Sequence, residues 1–210
     1  AALDVALFVI LATLAYLAEE KRRPIFRWAT IIWLFILIGG LAAATAGMGI
    51  MSILPVDTLE TGEITPGVAA GTAMLLLGVL VTALISLIGF SRKLRIWLAQ
   101  YLPLDPDSFV HSVALVMILA LILIPLVPLL VTGVPPFLSP LFVEVLTESG
   151  GVLADTVTVN AYSLFWTVIA SFLIAGVYMR RTIPETLKRL GLVMPTGREV
   201  MFAVGAALAL

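Results

Sequence analysis

Apolar segments long enough to cross a membrane recur along the whole chain, and few polar residues remain to cover a water-exposed surface. Of the 210 residues, 61% are hydrophobic and 12% are charged, which is about half the charged fraction of a typical soluble domain. A helix of roughly 20 apolar residues crosses a bilayer, and it satisfies its own backbone groups where lipid offers no partner. The sequence therefore predicts an all-α, polytopic transmembrane helical bundle.

We expect about six spans in a single membrane domain over residues 1–210, with short interfacial helices between them. The predicted spans are residues 1–17, 28–53, 67–90, 109–134, 161–179 and 200–210. The last run covers only about half of the hydrocarbon core at roughly 1.5 Å per residue, and residue 1 is Ala rather than Met. We therefore expect that the sequence is part of a longer chain.

The basic residues predict an orientation. All 12 Lys and Arg residues lie between spans one and two, three and four, or five and six. The two other connecting segments, residues 54–66 and 135–160, contain acidic residues and no basic ones. The positive-inside rule places the basic segments in the cytoplasm and the amino terminus outside, most simply in a bacterial-type plasma membrane.

The basic segment after the third span has the pattern of an amphipathic surface helix. Its apolar residues recur at helical spacing, and its basic residues occupy the other face. Anionic lipid headgroups attract such basic residues. The candidate headgroup contacts are Arg92, Lys93, Arg95 and Trp97.

Two further connecting segments have helical patterns. Pro136–Leu146 is apolar but too short to span, which suggests a shallow re-entrant or interfacial helix. Thr182 and Glu185 have the spacing of a capping box, with Pro184 in the first turn. They predict a short helix over Pro184–Leu190 that ends at Gly191.

The residue types exclude several kinds of site. The chain has no cysteine and a single histidine, His111, so thiolate and multi-histidine metal sites are impossible within it. We expect no catalytic residue, metal ligand or cofactor, and a net charge of −1 gives no reason to expect a nucleic acid partner. Asp4 and His111 fall at span ends, and we interpret Glu19 and Glu20 as local ion-pair partners of the basic residues that follow them.

Two patterns within the spans concern packing. Small residues permit close approach of helices, within the chain or with another membrane subunit, and internal packing is our default interpretation. The candidates are Gly40, Ala44, Gly47, Gly67 and Gly71. Pro125 and Pro128 are candidate kinks in the fourth span, because each removes a helix hydrogen bond.

The stretch from Tyr178 to Leu210 resembles the CPBP (Abi/Rce1-like) intramembrane protease family. It combines a basic turn, a short helix ending in "RLGL", a following proline and a new apolar run. In that family such a linker precedes the catalytic core. The family's EExxxR, FxxxH and later histidine motifs are absent here: Pro24 stands where the arginine is required after Glu19 and Glu20. The resemblance therefore implies an amino-terminal membrane region that is itself non-catalytic.

Three hypotheses on function remain open. The first is the amino-terminal region of a CPBP-type protease homologue. The second is a non-catalytic accessory subunit of a larger membrane complex, such as an energy-transducing one. The third is a transporter fragment, suggested by Pro125 and Pro128. Apart from the lipid bilayer, other membrane subunits are the only partners that the sequence suggests.

Overall fold

The computed structural model describes residues 2–54, 64–102, 104–135, 153–177, 181–190 and 201, and the regular elements in these ranges are helices. The all-α prediction is thereby confirmed for the described residues. In chain order the elements are α1 (Ala2–Lys21), α2 (Pro24–Ile53), α3 (Pro66–Ser86), the 3-10 helix η1 (Leu87–Phe90), α4 (Arg92–Leu98), α5 (Phe109–Thr132), α6 (Leu153–Ile174) and α7 (Ile183–Arg189).

Three helices among the described residues are long and apolar enough to cross a membrane: α2, α3 with its η1 extension, and α5. They coincide with the second, third and fourth predicted spans. Helix α1 contains the described residues of the first predicted span. Helix α6 overlaps the fifth span only over the shorter apolar segment Ala161–Ile174. The predicted total of about six spans stays a prediction, because residues 202–210 of the last span lie outside the described residues. The predicted re-entrant or interfacial helix Pro136–Leu146 also lies outside them.

The chain divides into two compact units, residues 10–160 and residues 1–9 with 161–210. The single domain expected from the sequence stays a prediction. In the second unit, α7 begins at a capping box in which the Thr182 backbone N–H donates to Glu185 Oε2 at 2.9 Å. That hydrogen bond holds the pKa of the exposed Glu185 carboxyl below its usual range. The capping-box prediction is confirmed, while Gly191 lies outside the described residues.

Helices α2, α3 and α5 pack against one another and form the core of the larger unit. Every fourth residue of one α5 face is buried, namely Ser112, Val116, Ala120, Ile124 and Pro128. Side chains four positions apart share a helix face, so this row is the seam along which α5 meets its neighbours. Large apolar side chains on the other faces of all three helices are exposed, as expected for surfaces in contact with lipid.

Two glycines bring α3 and η1 close to α5. A Cβ atom added to Gly78 would lie 2.7 Å from Val127 Cγ1, and one added to Gly89 would lie 2.7 Å from the backbone nitrogen of Val116. The second approach joins backbone to backbone, so no side-chain rotation could relieve it. Gly89 therefore sets how closely η1 can approach α5.

The predicted packing glycines behave differently from one another. A Cβ atom added to Gly71 would lie 3.3 Å from Ile53 Cγ2, which fits internal packing. Added Cβ atoms at Gly40 and Gly47 would meet nothing within 4 Å, and Ala44 is exposed. Among the described residues no neighbour packs against that face of α2, so internal packing there stays a prediction. Gly67 meets only the hydroxyl oxygen of Thr65, at 4.0 Å.

Helix α5 continues through both of its prolines. Pro128 is buried in the seam and Pro125 is exposed. Near the end of the helix, Thr132 Oγ1 donates a side-chain hydrogen bond to the Pro128 carbonyl at 2.8 Å. The helix ends at Gly133, whose φ of 73° is left-handed and favours glycine. The kink at Pro125 and Pro128 stays a prediction.

Replacing Gly89 with Ala tests the close approach of η1 to α5. The added methyl group must displace backbone, so we expect the Gly89→Ala protein to lose about 1–3 kcal/mol of stability. Gly47→Ala is the control, because its methyl group enters open space and helix propensity favours Ala over Gly. Thermal unfolding in detergent micelles measures both variants. Equal unfolding midpoints for the two variants would contradict the packing described here.

Candidate functional site

The polar side chains with the most interactions lie at the end of the core helices where the connecting segments contain Lys and Arg. We refer to this as the basic end of the core. We call this region the basic-end junction, defined as residues 86–111 together with Glu19. Within it, α3 passes into η1, Ser91 turns the chain into α4, and residues 104–108 lead back into α5. The Ser91 backbone N–H donates to the Ile88 carbonyl at 2.8 Å, which closes the first of these turns.

Arg95 is the buried cation of the junction, with a relative exposure of 8%. Its guanidinium donates through Nε to the Pro106 carbonyl at 2.8 Å, and through Nη1 to the carbonyls of Gly89 and Phe90 at 3.2 and 2.9 Å. One side chain of α4 thus fixes both the end of η1 and the turn before α5. The planar guanidinium can serve several acceptors from one rigid group.

This arrangement changes the expected role of Arg95. We predicted that it contacts lipid headgroups, but its donors are directed at carbonyls of the protein. Arg92, Lys93 and Trp97 are exposed and remain candidates for that role. Helical periodicity cannot distinguish these positions. Arg95 bonds to the turn before α5, whose Pro106 lies eleven residues later in the chain.

Arg92 forms an exposed ion pair with Asp107. Nε and Oδ1 lie 2.9 Å apart, and the second hydrogen bond joins Nη2 to Oδ2 at 3.4 Å. The hydrogen bond from Arg92 holds the pKa of the Asp107 carboxyl below its usual range. The contribution of this ion pair to the free energy of unfolding is therefore complete above the ordinary pKa of aspartate. It is lost as the pH falls through the lowered pKa of Asp107. Both side chains are about two-thirds exposed, so solvent screens the pair.

His111 helps to shape the same turn. The Asp105 backbone N–H donates to His111 Nδ1 at 2.9 Å, and the Asp107 backbone N–H donates to Asp105 Oδ1 at 2.9 Å. The imidazole therefore accepts a hydrogen bond from the protein backbone within the first turn of α5. This agrees with our interpretation of His111 as a residue of the helix end.

Glu19 caps a helix that begins ninety residues later. Its Oε2 accepts hydrogen bonds from the Ser108 hydroxyl at 2.6 Å and from the Val110 backbone N–H at 3.0 Å. Ser108 Oγ in turn accepts from the His111 backbone N–H at 3.3 Å. A carboxylate is favourable here because the amino-terminal end of a helix carries partial positive charge.

Glu19 thus has partners far along the sequence, and the local ion pairing that we expected for it stays a prediction. The sequence placed Glu19 beside Glu20 and Lys21, and local charges were the only visible partners. The hydrogen bonds from Ser108 and Val110 to Glu19 depend on how residues 10–21 of α1 pack within the larger unit. A signal was present at the other end, since Ser108 has the residue type of a helix cap.

The outer face of α4 and the turn that follows it carry cationic and aromatic side chains. Trp97 and Tyr101 are 54% and 71% exposed, and their rings meet edge to face at 5.5 Å between centroids. Lys93 is exposed on the same short helix. Exposed tryptophan and tyrosine beside basic residues are typical of the membrane–water interface.

The hydroxyl groups within the apolar helices mostly serve their own helix. Each donates to a carbonyl three or four residues earlier, as seen at Thr30, Thr82, Ser86 and Ser171. Among the described residues, no three His, Cys, Asp or Glu side chains are grouped so that they could hold a metal ion.

Comparisons with known proteins found no family model that matches the chain, and no curated protein or solved structure with significant similarity to it.

Replacing Arg95 tests whether this side chain holds the junction together. Arg95→Gln removes the charge and most of the donors, so three carbonyls lose their partner, and we expect a loss of about 2–4 kcal/mol. Arg92→Gln is the matched control, because it removes a cation of α4 that is exposed, and it should change stability little. Thermal unfolding in detergent micelles compares them. An equal effect of the two substitutions would contradict the assigned role of Arg95.

Proposed function

We propose that this chain is a non-catalytic membrane scaffold, whose helices form part of a larger membrane protein or complex. The observation that supports the proposal is that charged side chains of the basic-end junction bind backbone groups of the protein. Arg95 and Glu19 reach across the junction, and both bind backbone groups that fix helix ends. Their role is therefore to hold the helices in place.

Ion-translocating proteins and membrane enzymes use ionisable groups that can change protonation or partner during a cycle. Arg95 would have to release three carbonyls to do so. Glu19 would have to uncap α5. Such changes would release α4 from the turn before α5 and leave the first turn of α5 without its cap, which supports an architectural role for both residues.

The amino-terminal region of a CPBP-type protease homologue is the first setting that we propose for this scaffold. It is supported by the resemblance after Tyr178 and by the capped helix α7 in that stretch. The rest of the resembling stretch, residues 178–180, 191–200 and 202–210, lies outside the described residues. In this setting the scaffold would precede a catalytic core and would be inert by itself.

An accessory subunit of a larger membrane complex is the second setting. The open face of α2 favours it, because Gly40, Ala44 and Gly47 are exposed and the two glycines meet no neighbouring atoms. Such a face allows the backbone of another transmembrane helix to approach closely. Both settings assign the described helices the same scaffolding role.

We also propose that the basic-end junction faces the cytoplasm of a bacterial-type cell. The complete segregation of Lys and Arg supports this orientation. The absence of cysteine from the sequence permits a direct test with single cysteines in an otherwise unreactive chain.

Labelling with a membrane-impermeant maleimide tests the orientation. On intact cells, Ile64→Cys should react, because Ile64 is 68% exposed at the acidic end. Lys93→Cys should react only after the membrane is permeabilised. Labelling of both after permeabilisation is the control for reactivity. Reaction of Lys93→Cys on intact cells would overturn the proposed orientation.

The mass of the native protein and the mass of its complex together test the scaffold proposal. A chain longer than 22.4 kDa whose peptides contain the glutamate-pair and histidine motifs would support the protease setting. A chain near 22.4 kDa that co-purifies with other membrane proteins at fixed stoichiometry would support the accessory setting.

Activity of the isolated chain would contradict the proposal. We expect the 210-residue protein in proteoliposomes to cleave no peptide and to transport no ion or solute. If it did either, and if Arg95→Gln abolished the activity without lowering the unfolding midpoint, the scaffold proposal would be wrong.

A further inference from the structure

Four exposed basic side chains lie around the short turn between α1 and α2. Two residues separate the end of α1 from the start of α2, so the two helix ends lie close together. Side chains four positions apart share a helix face, which places residues 23 and 27 on one side of the start of α2. We call this cluster the α1–α2 basic turn; it consists of Lys21, Arg22, Arg23 and Arg27.

Aromatic rings hold two of these cations in place without covering them. The Lys21 ammonium lies 5.9 Å from the centre of the Phe26 ring, in the first turn of α2. The Arg27 guanidinium lies 5.6 Å from the centre of the Phe109 ring, at the start of α5. Each ring attracts the cation through its π face, while the cation stays exposed. The basic turn therefore presents its charges at positions set by contacts between helices.

The four cations have no anionic partner in the part of the chain that the structure describes. None of their side chains forms an ion pair or a hydrogen bond there. Of the two acidic neighbours in sequence, Glu19 is used as the cap of α5, and Glu20 is exposed. The turn therefore carries an excess of positive charge that nothing among the described residues neutralises.

The basic helix α4 differs from this turn. Asp107 neutralises Arg92 at 2.9 Å, and Arg95 donates to carbonyls of the protein. Lys93 is the remaining exposed cation of α4. Although the sequence pattern pointed to α4 as the surface for lipid headgroups, the α1–α2 basic turn has more cations available for an external anion.

The backbone of Arg22 indicates a use for its charge outside the chain. Its φ of 50° is left-handed, which is unfavourable for a residue with a Cβ atom and favourable for glycine. Glycine is the usual residue just past the end of a helix for this reason. Among the described residues, no hydrogen bond, ion pair or ring contact of the Arg22 side chain offsets the unfavourable backbone.

The length of α2 places the basic turn at the level of the lipid headgroups. Its 30 residues correspond to about 45 Å of helix, and a bilayer with its headgroups is about 40–45 Å thick. An exposed apolar row begins in the first turn and continues along one face of the helix; it consists of Ile25, Trp28, Ile32 and Phe35. The exposed ring of Trp28, directly after Arg27 in the sequence, is typical of the membrane–water interface.

From the unpaired cations, the left-handed Arg22 and the apolar row beside them, we infer that the α1–α2 basic turn binds the headgroup of an anionic phospholipid. The guanidinium groups of Arg22 and Arg23 donate to the phosphate, for which a planar fork of N–H donors is well suited. The acyl chains lie along the apolar row of α2. A phospholipid accounts for both the charges and the row, whereas an acidic peptide would account only for the charges.

The inference requires that α2 crosses a membrane. It is independent of the scaffold proposal and of which compartment the basic end faces. If the isolated chain proved to be catalytically active, the scaffold proposal would be wrong and the lipid site would be unaffected.

Arg22→Gly separates lipid binding from folding. Because glycine accepts the left-handed backbone, we expect this variant to unfold in lipid-free detergent at or above the wild-type temperature. Native mass spectrometry of the full 210-residue chain, titrated with phosphatidylglycerol or phosphatidylcholine, measures lipid binding. We expect the wild type to prefer phosphatidylglycerol, and Arg22→Gly to bind it about fivefold more weakly. The double variant with Arg23→Gln should bind it about 25-fold more weakly.

Lys93→Gln is the matched control, because it removes one exposed cation from α4. It should bind phosphatidylglycerol with close to the wild-type affinity. A second control adds inorganic phosphate as a competitor. It should not displace the lipid, because phosphate alone makes no contact with the apolar row.

Four outcomes would overturn the inference. Wild-type affinity of the double variant for phosphatidylglycerol would leave the turn to another partner, such as an acidic protein segment. Equal weakening by Arg22→Gly and Lys93→Gln would mean that only overall charge attracts the lipid. Displacement by inorganic phosphate would assign the turn to a free anion. A lower unfolding temperature of Arg22→Gly would assign its side chain a structural role.

Discussion

The buried guanidinium of Arg95 is the interaction on which the rest of the larger unit depends. Three carbonyls from two separate segments converge on it, at the end of η1 and in the turn before α5. A buried charge without such partners is strongly unfavourable, so the turn at residues 104–108 and the helix α4 must form together. The Gly89 carbonyl is one of these acceptors, and the same glycine lies against the Val116 backbone of α5.

The same junction connects the first helix to the core. Glu19 caps α5 from a position ninety residues earlier, so α1 is positioned by a polar contact at its basic end as well as by burial of Leu11, Ala15 and Ala18. In an apolar protein, packing between helices is weakly directional, and hydrogen-bonded helix ends provide specific positions. The described polar groups therefore account for the arrangement of helices that carry few polar side chains of their own.

The lipid-facing side of the molecule follows a different principle. Gly39, Gly40 and Gly47 lie on α2 without filling space inside the chain, while Gly78 and Gly89 allow close contacts within it. Both groups have the same residue type in equally apolar surroundings. Only the position of the neighbouring helix distinguishes a glycine that permits internal packing from one that leaves an open face.

The sequence by itself determined the helical class and the positions of the core helices, because a long apolar run in lipid has no alternative that satisfies its backbone. The capping box at Thr182 and Glu185 was also readable, because its partners are three residues apart. The roles of Glu19 and Arg95 and the two close-packed glycines were decided only by the tertiary structure. Each depends on segments distant along the chain, and the apolar periodicity of a membrane helix does not record which face meets protein and which meets lipid.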